Sequence, residues 1–149
     1  MAWRVIVKGI APGATAVALP VVQEDCRIVP RLAFSPDGRL VLAAGGTHLH
    51  TWNIESRQRV PSFSLNTLVL IAAFSPDRER LATSGIDGTI VLWDVTSGQQ
   101  LLTLAGFDGV PPSTLVFSPD GTGLAGASPE GPEGGKMTVK VWDARPLGK

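Results

Sequence analysis

Three segments of this 149-residue chain begin alike: Phe34-Ser-Pro-Asp-Gly38, Phe74-Ser-Pro-Asp-Arg78 and Phe117-Ser-Pro-Asp-Gly121, at spacings of 40 and 43 residues. Each is followed by a tryptophan pair, Trp52-Asn53, Trp93-Asp94 and Trp142-Asp143, after 18, 19 and 25 residues. A two-part pattern that recurs three times in register means one small structural unit used repeatedly. Such a unit cannot bury its apolar surface alone, so the copies must stack. Ser-Pro-Asp-Gly fits a type I turn, with Pro presetting φ at the second place and Gly at the fourth. Arg78 replaces that Gly in the second copy, which predicts a slightly different turn there.

The stretch Leu81–Asp94 shows what lies between the two parts. Asp87-Gly88 reads as a two-residue type I′ hairpin turn, with positive φ at both places. Beyond it the residues alternate as in a strand: Thr89, Val91, Trp93 and Val95 on one face, Ile90, Leu92 and Asp94 on the other. Both faces are largely apolar, so this strand belongs to a sheet stacked between two others. The same reading predicts strands over 2–9 and 14–22. In the first copy it predicts 28–34, 40–44, 48–54 and 59–63. In the second it gives 68–74, 80–84, 89–95 and 99–104, and in the third 114–117, 123–127 and 137–143. No helical stripe appears, and 17 Gly and 12 Pro suit many short strands with many turns.

A period of 40–45 residues with this signature resembles the WD (WD40) repeat, and Ser84–Asp94 resembles the signature end of one. The resemblance covers roughly residues 14–144. It implies an all-β fold of β-propeller blades, each of four antiparallel strands, with three WD-type repeats. The divisions would be N-terminal strands over 1–22, blades over 23–64 and 65–105, and a third over 106–149 lacking its outer strand. Propellers have 4–8 blades, so three do not close a ring. The expectation is completion by oligomerisation, two chains giving six blades or three giving nine, with Ala14–Val22 exchanged between subunits as an outer strand. The alternative is a structural piece of a larger propeller. The resemblance also implies a buried network of His, Ser/Thr, Asp and Trp. Asp87 and Trp93 match its last two members. Its His place is taken by Asn66-Thr67 and Gly106-Phe107, and Gly46 and Lys136 stand where the other copies would carry Asp. The network should therefore be reduced, with Phe34, Phe74 and Phe117 packing on the blade tryptophans in its stead.

Composition narrows the function. Thirteen basic and 13 acidic residues give no electrostatic footprint for nucleic acid and no basic surface for a membrane. The longest apolar run, Leu68–Phe74, is too short to span a bilayer, and the N-terminus does not read as a secretory signal. Cys26 is the only cysteine, which fits a reducing, cytoplasmic compartment. His48 and His50 share a strand face toward Trp52, yet no Cys or carboxylate sits beside them at ligand spacing, so packing outweighs metal binding. No nucleophile elbow, phosphate loop or H-E-x-x-H is present. Ser35, Ser75 and Ser118 open turns, and Asp37, Asp77 and Asp120 lie in separate copies. The expectation is a non-enzymatic scaffold with no cofactor, binding a protein or peptide partner; a metal-binding or catalytic propeller is the weaker alternative.

One irregularity interrupts the repeats. Ser128–Lys136 replaces a tight turn with a longer Gly/Pro-rich loop carrying Glu130 and Glu133. In the layout the resemblance implies, this loop shares a rim with Phe107–Pro112, where relatives bind peptides and proteins. The candidate rim residues are Ile86, Asp87, Phe107, Asp108, Pro112, Glu130 and Glu133. A tolerated insertion is the plainer account of the loop.

Overall fold

The computed structural model describes residues 5–7, 17–19, 31–65, 67–130 and 135–143. These residues form strands and turns, with no helix among them. β1 (Val5–Val7) and β2 (Val17–Leu19) make a two-stranded sheet. β3 (Arg31–Phe34), β4 (Leu40–Gly45), β5 (His48–Asn53) and β6 (Arg59–Ser64) form the first blade. β7 (Val69–Phe74), β8 (Arg80–Gly85), β9 (Ile90–Asp94) and β10 (Gln100–Leu104) form the second. β11 (Thr114–Phe117), β12 (Gly123–Glu130) and β13 (Lys136–Asp143) form a third sheet of three strands. Every pairing is antiparallel and joins sequence neighbours, as short turns between alternating strands dictate. Within the one chain described, β2 pairs with β1, Val5 opposite Leu19.

The Ser-Pro-Asp turn is built the same way three times. Backbone bonds close it from Gly38 to Ser35 (2.8 Å), Arg78 to Ser75 (3.0 Å) and Gly121 to Ser118 (2.9 Å). The serine hydroxyl donates to the aspartate two residues on, Ser35 to Asp37 and Ser118 to Asp120 at 2.5 Å each, and Ser75 likewise to Asp77. The same hydroxyl accepts the amide that opens the next strand, from Leu40 and Arg80 at 2.9 Å and from Gly123 at 2.8 Å. The fourth residue takes φ of 70° at Gly38, 70° at Arg78 and 73° at Gly121. The arginine thus adopts the glycine conformation, contrary to the different turn expected there. The repeated hydrogen bonds fix the loop and leave a non-glycine residue strained in the left-handed region.

The Asp87-Gly88 turn also differs from expectation. Only Gly88 has positive φ (77°), and its amide bonds back to Gly85 at 3.1 Å, so the turn spans four residues. Asp87 Oδ1 accepts the Thr89 amide at 3.0 Å, the side-chain turn to which aspartate is suited, and this keeps Asp87 out of the left-handed region.

Each blade buries a face against its neighbour. Leu42, Ala44 and Leu49 of the first blade pack with Val69, Leu81 and Trp93 of the second. Ala82 and Ile90 on the second blade's other face pack with Phe107, Leu115 and Leu124 of the third. β9 therefore has both faces covered, as its composition required. Trp93 Nε1 donates to Thr83 Oγ1 at 2.9 Å in the buried layer. Ala43 and Gly126 occupy the place of Thr83 in the other blades and offer no hydroxyl, so this Trp–Thr bond has no counterpart at those two positions. Phe74 and Phe117 are half-buried beside Trp93 and Trp142. Phe34 is not so placed: it is 57% exposed, with none of the described residues covering the inner strand on that face.

Candidate functional site

The candidate rim residues differ in exposure. Ile86, Asp87, Asp108 and Glu130 are exposed where the turns of the second and third blades lie side by side. Phe107 and Pro112 are buried and carry the rim from beneath. Phe107 is only 5% exposed: its ring meets Trp142 edge-on at 6.0 Å, and the Lys140 ammonium sits 5.3 Å above its centre. Sequence alone could not foresee this, since a Phe in a Gly/Pro-rich loop looks presented. Glu133 lies outside the described residues.

Two glycines let the loops approach. The Phe107 amide bonds to the Gly88 carbonyl at 3.2 Å, and a β-carbon at Gly88 or Gly106 would collide with the other loop's backbone. The irregular loop is partly a longer hairpin, with Ser128, Pro129 and Glu130 pairing Thr138, Met137 and Lys136. Between it and the Phe107 loop is an open hollow of about 320 Å3 lined by Phe107, Asp108, Val110, Pro129, Glu130 and Lys140. Lys140 Nζ is engaged there, donating to the Gly106 carbonyl at 2.6 Å.

The opposite rim carries the aspartate turns. The Ser35 hydroxyl, the Arg39 amide and the Arg78 guanidinium lower the Asp37 carboxyl to about 2. At Asp77 partial burial pushes upward, but the Ser75 hydroxyl, the Glu79 amide and Arg80 outweigh it and hold this carboxyl at about 2 as well. Both groups are therefore ionised turn-formers, unsuited to donate a proton near neutrality. Asp94 is lowered by the Ser97 amide and hydroxyl. Asn53 accepts the Ser56 amide in the same way at 2.9 Å, which explains why Asn and Asp alternate after the tryptophan. Two arginines tie these turns across blades: Arg78 reaches Asp37 at 3.0 Å, and Arg80 reaches the Gly121 carbonyl at 2.9 Å.

The histidines lie in a stack along β5, His48 to His50 at 6.1 Å and His50 to Trp52 at 6.0 Å, with Arg59 against His50 Nδ1 at 2.6 Å. An arginine in that position opposes a cation at the same nitrogen. Among the described residues no three His, Cys, Asp or Glu side chains converge to hold a metal ion, and the Ser35, Ser75 and Ser118 hydroxyls each donate to their own turn aspartate in separate blades.

The unclosed three-blade stack expected from the sequence leaves two end faces, and the structure shows which residues line them. On the third blade, Val116 (56%), Val139 (63%) and Val141 (68%) lie open. Their cross-strand partners are Ala125 for Val116 and Val141, and Ala127 for Val139. In the second blade the matching pairs are Ala73 with Ala82, Leu92 with Ala82, and Ile90 with Ser84. The three open valines thus stand where the second blade has Ala73, Leu92 and Ile90, and Leu92 and Ile90 pack against the third blade. On the first blade, Leu32 (55%) and Phe34 lie open, opposite Ala43 and Val41. They match Ala72 and Phe74, which pack into the layer between the first and second blades. Leu19 of β2 covers Val41, Ala43 and Trp52 beside them but not the inner strand. The alternation of Met137, Val139 and Val141 was the available signal.

Comparison with known proteins gives the same unit. The family described as "WD domain, G-beta repeat" matches residues 61–94. The chain is 29% identical over 128 residues to the small ribosomal subunit protein RACK1 of Caenorhabditis elegans, covering 82% of this chain and 37% of that protein. It is 32% identical over 121 residues to the WD repeat-containing protein VIP3 of Arabidopsis thaliana (70% and 37%). A serine-threonine kinase receptor-associated protein of Dictyostelium discoideum is 26% identical over 114 residues (76% and 36%). The chain thus spans little more than a third of the length of these curated relatives. Among solved structures, a chain in the crystal structure of the mitotic checkpoint complex superposes with a TM-score of 0.78 at 22% identity, over 97% of this chain and 44% of that one. Its likeness concerns the fold. The repeated turn, the Trp-Asx signature, the stacked four-stranded sheets and these matches together show that the chain belongs to the WD40-repeat family and is built of β-propeller blades.

Proposed function

We propose that the protein is a non-enzymatic scaffold, working in the cytoplasm, that offers its rims to a protein partner and extends its blade stack by joining copies head to tail. The observation that carries the reading is the equivalence of the two end faces with the faces already joined inside the chain. The third blade presents Val116, Val139 and Val141 where the second presents Ala73, Ile90 and Leu92, and the first presents Leu32 and Phe34 where the second presents Ala72 and Phe74. One copy therefore carries both halves of an interface it already makes twice. Burying a Val or Leu side chain contributes about 1.5–3 kcal/mol, so exposed ends of this kind favour contact. Such a contact is heterologous, and it closes into a ring or continues as a stack according to its rotation. A blade arriving on Leu32 and Phe34 would take the place of β1 and β2 over the first blade. The rim residues Ile86, Asp87, Asp108 and Glu130 would then repeat around the assembly as a partner-binding surface.

Light scattering of the purified chain over a range of concentrations tests this. The expected result is a discrete multiple of the 15.6 kDa chain that falls to the monomer in Val116→Asp. A wild-type chain that stays monomeric while well folded would overturn the head-to-tail reading and leave the rims as the only candidate surface.

A further inference from the structure

The dipeptide Asp-Gly occurs four times, at Asp37-Gly38, Asp87-Gly88, Asp108-Gly109 and Asp120-Gly121. It is the pair most open to one spontaneous reaction of the chain. The glycine amide nitrogen attacks the aspartate Cγ; the N–Cγ bond forms, and the amide proton leaves with a carboxyl oxygen as water. The product is a cyclic imide. Water then reopens the ring. Opening at the backbone carbonyl leaves isoaspartate, in which the main chain runs through the former side chain and a carboxylate stands on Cα. One water leaves and one returns, so no oxidant, reductant or cofactor is needed. Glycine favours the attack because no β-carbon shields its nitrogen. The peptide plane must also swing until that nitrogen faces Cγ, and any hydrogen bond held by either group opposes the swing.

Three of the four pairs are held. The Asp37 carboxylate accepts the Ser35 hydroxyl at 2.5 Å and the Arg39 amide at 3.1 Å, and the Asp120 carboxylate accepts the Ser118 hydroxyl at 2.5 Å and the Thr122 amide at 3.0 Å. The amides of Gly38 and Gly121 are themselves bonded to the serine carbonyls at 2.8 and 2.9 Å. At the third pair Asp87 accepts the Thr89 amide at 3.0 Å, and the Gly88 amide is bonded to Gly85 at 3.1 Å. Gly88 also lies so close to the Phe107 and Val110 carbonyls that its peptide plane has no room to turn. Asp108-Gly109 differs at each point. Asp108 is exposed, and among the described residues nothing is bonded to its carboxylate or to the Gly109 amide. Gly109 has φ of 73° with open space where a β-carbon would stand. The turn around the pair is closed by one bond, from the Val110 amide to the Phe107 carbonyl at 2.8 Å. From this contrast we infer that Asp108-Gly109 is a modification site, at which an aspartate of the rim converts to isoaspartate. Conversion adds one backbone carbon beside Phe107 and re-aims a carboxylate at the hollow that Glu130 and Lys140 also line. The inference stands apart from the scaffold reading, since it needs neither a partner nor a second copy.

The test incubates the full chain in warm neutral buffer and maps its peptides over time by electron-transfer fragmentation, which separates isoaspartate from aspartate. Isoaspartate should accumulate at Asp108 about tenfold or more faster than at Asp37, Asp87 or Asp120, because fewer hydrogen bonds must open there. In concentrated urea the four rates should converge, since each aspartate is then simply followed by glycine. A second readout uses an isoaspartyl methyltransferase, which moves a methyl group from the sulfonium of S-adenosylmethionine to the new carboxylate. It should label the aged wild type and leave aged Asp108→Glu near background, because a glutamate closes the corresponding larger ring slowly. A rate at Asp108 no higher than at the other three pairs of the folded chain would overturn the inference. So would an order of rates that urea leaves unchanged, or equal labelling of the wild type and Asp108→Glu.

Discussion

The second and third blades share a turn, a strand order and a Trp-Asp ending, and yet Ile90 is fully buried while Val139 at the same place is 63% exposed. The difference lies in what stands next to them. A blade face is written into the strand alternation before any neighbour arrives, and it stays apolar where none does. Val139 is exposed because none of the described residues packs on that face of the third blade.

The largest effect that sharpens the comparison comes from the tryptophans. Trp93→Ala should lower stability by about 3–5 kcal/mol, since it empties a buried layer and leaves Thr83 without its donor. Trp142→Ala, half-buried beside Phe107, should lose less than half as much. Urea denaturation of both variants reads the contrast, and equal losses would break it. Next, Gly88→Ala should destabilise by about 2 kcal/mol or more, because its φ of 77° and the Phe107 carbonyl both oppose a β-carbon. Gly109→Ala, with positive φ and open space around it, isolates the strain alone and should lose about 1 kcal/mol.

Much of this was legible in the sequence, for definite reasons. Phe-Ser-Pro-Asp and Trp-Asx are local, hydrogen-bonded constructions, so their recurrence located the strands between them. The two-faced apolar character of Thr89–Val95 foretold its burial between blades. What depended on loops meeting across blades was not legible. Phe107 looked presented and is buried, because Gly88 and Gly106 allow two backbones to touch. Phe34 looked buried and is exposed, because none of the described residues covers it as Phe74 is covered between the first two blades. Arg78 looked like a change of turn and is a strained copy of the same one.

That strain supplies a smaller prediction. Arg57 and Arg78 both have positive φ, 58° and 70°, where the other copies have Gly98, Gly38 and Gly121. Replacing either by Gly relieves roughly 1–2 kcal/mol of left-handed strain and forfeits about 0.5–1 kcal/mol of chain entropy, so Arg57→Gly should gain a few tenths. Arg78→Gly also loses the exposed ion pair to Asp37 and should gain less. Differential scanning calorimetry compares the two, and a larger gain at Arg78 would contradict the assigned tie between blades.

The smallest expected effect is one of pH. Asp37 and Asp77 have folded values of about 2 against an ordinary 3.8. Their stabilisation is fully present above pH 4 and is lost as pH falls from about 4 toward 2, since the unfolded chain takes up the protons first. Asp77→Asn should flatten the thermal-stability profile within that window and leave it unchanged in shape above it. Asp37 keeps part of the slope in that variant, so a slope below pH 4 equal to that of the wild type would contradict the assigned role of Asp77.

The most direct test of head-to-tail stacking mixes two blocked chains. Phe34→Asp closes the first blade's end and Val116→Asp closes the third's, and each variant retains the opposite end. Native mass spectrometry should find each variant alone as a monomer and their equimolar mixture as a dimer containing one of each. Either variant forming a dimer by itself, or a mixture that stays monomeric while the wild type associates, would contradict the equivalence of the end faces with the interfaces inside the chain.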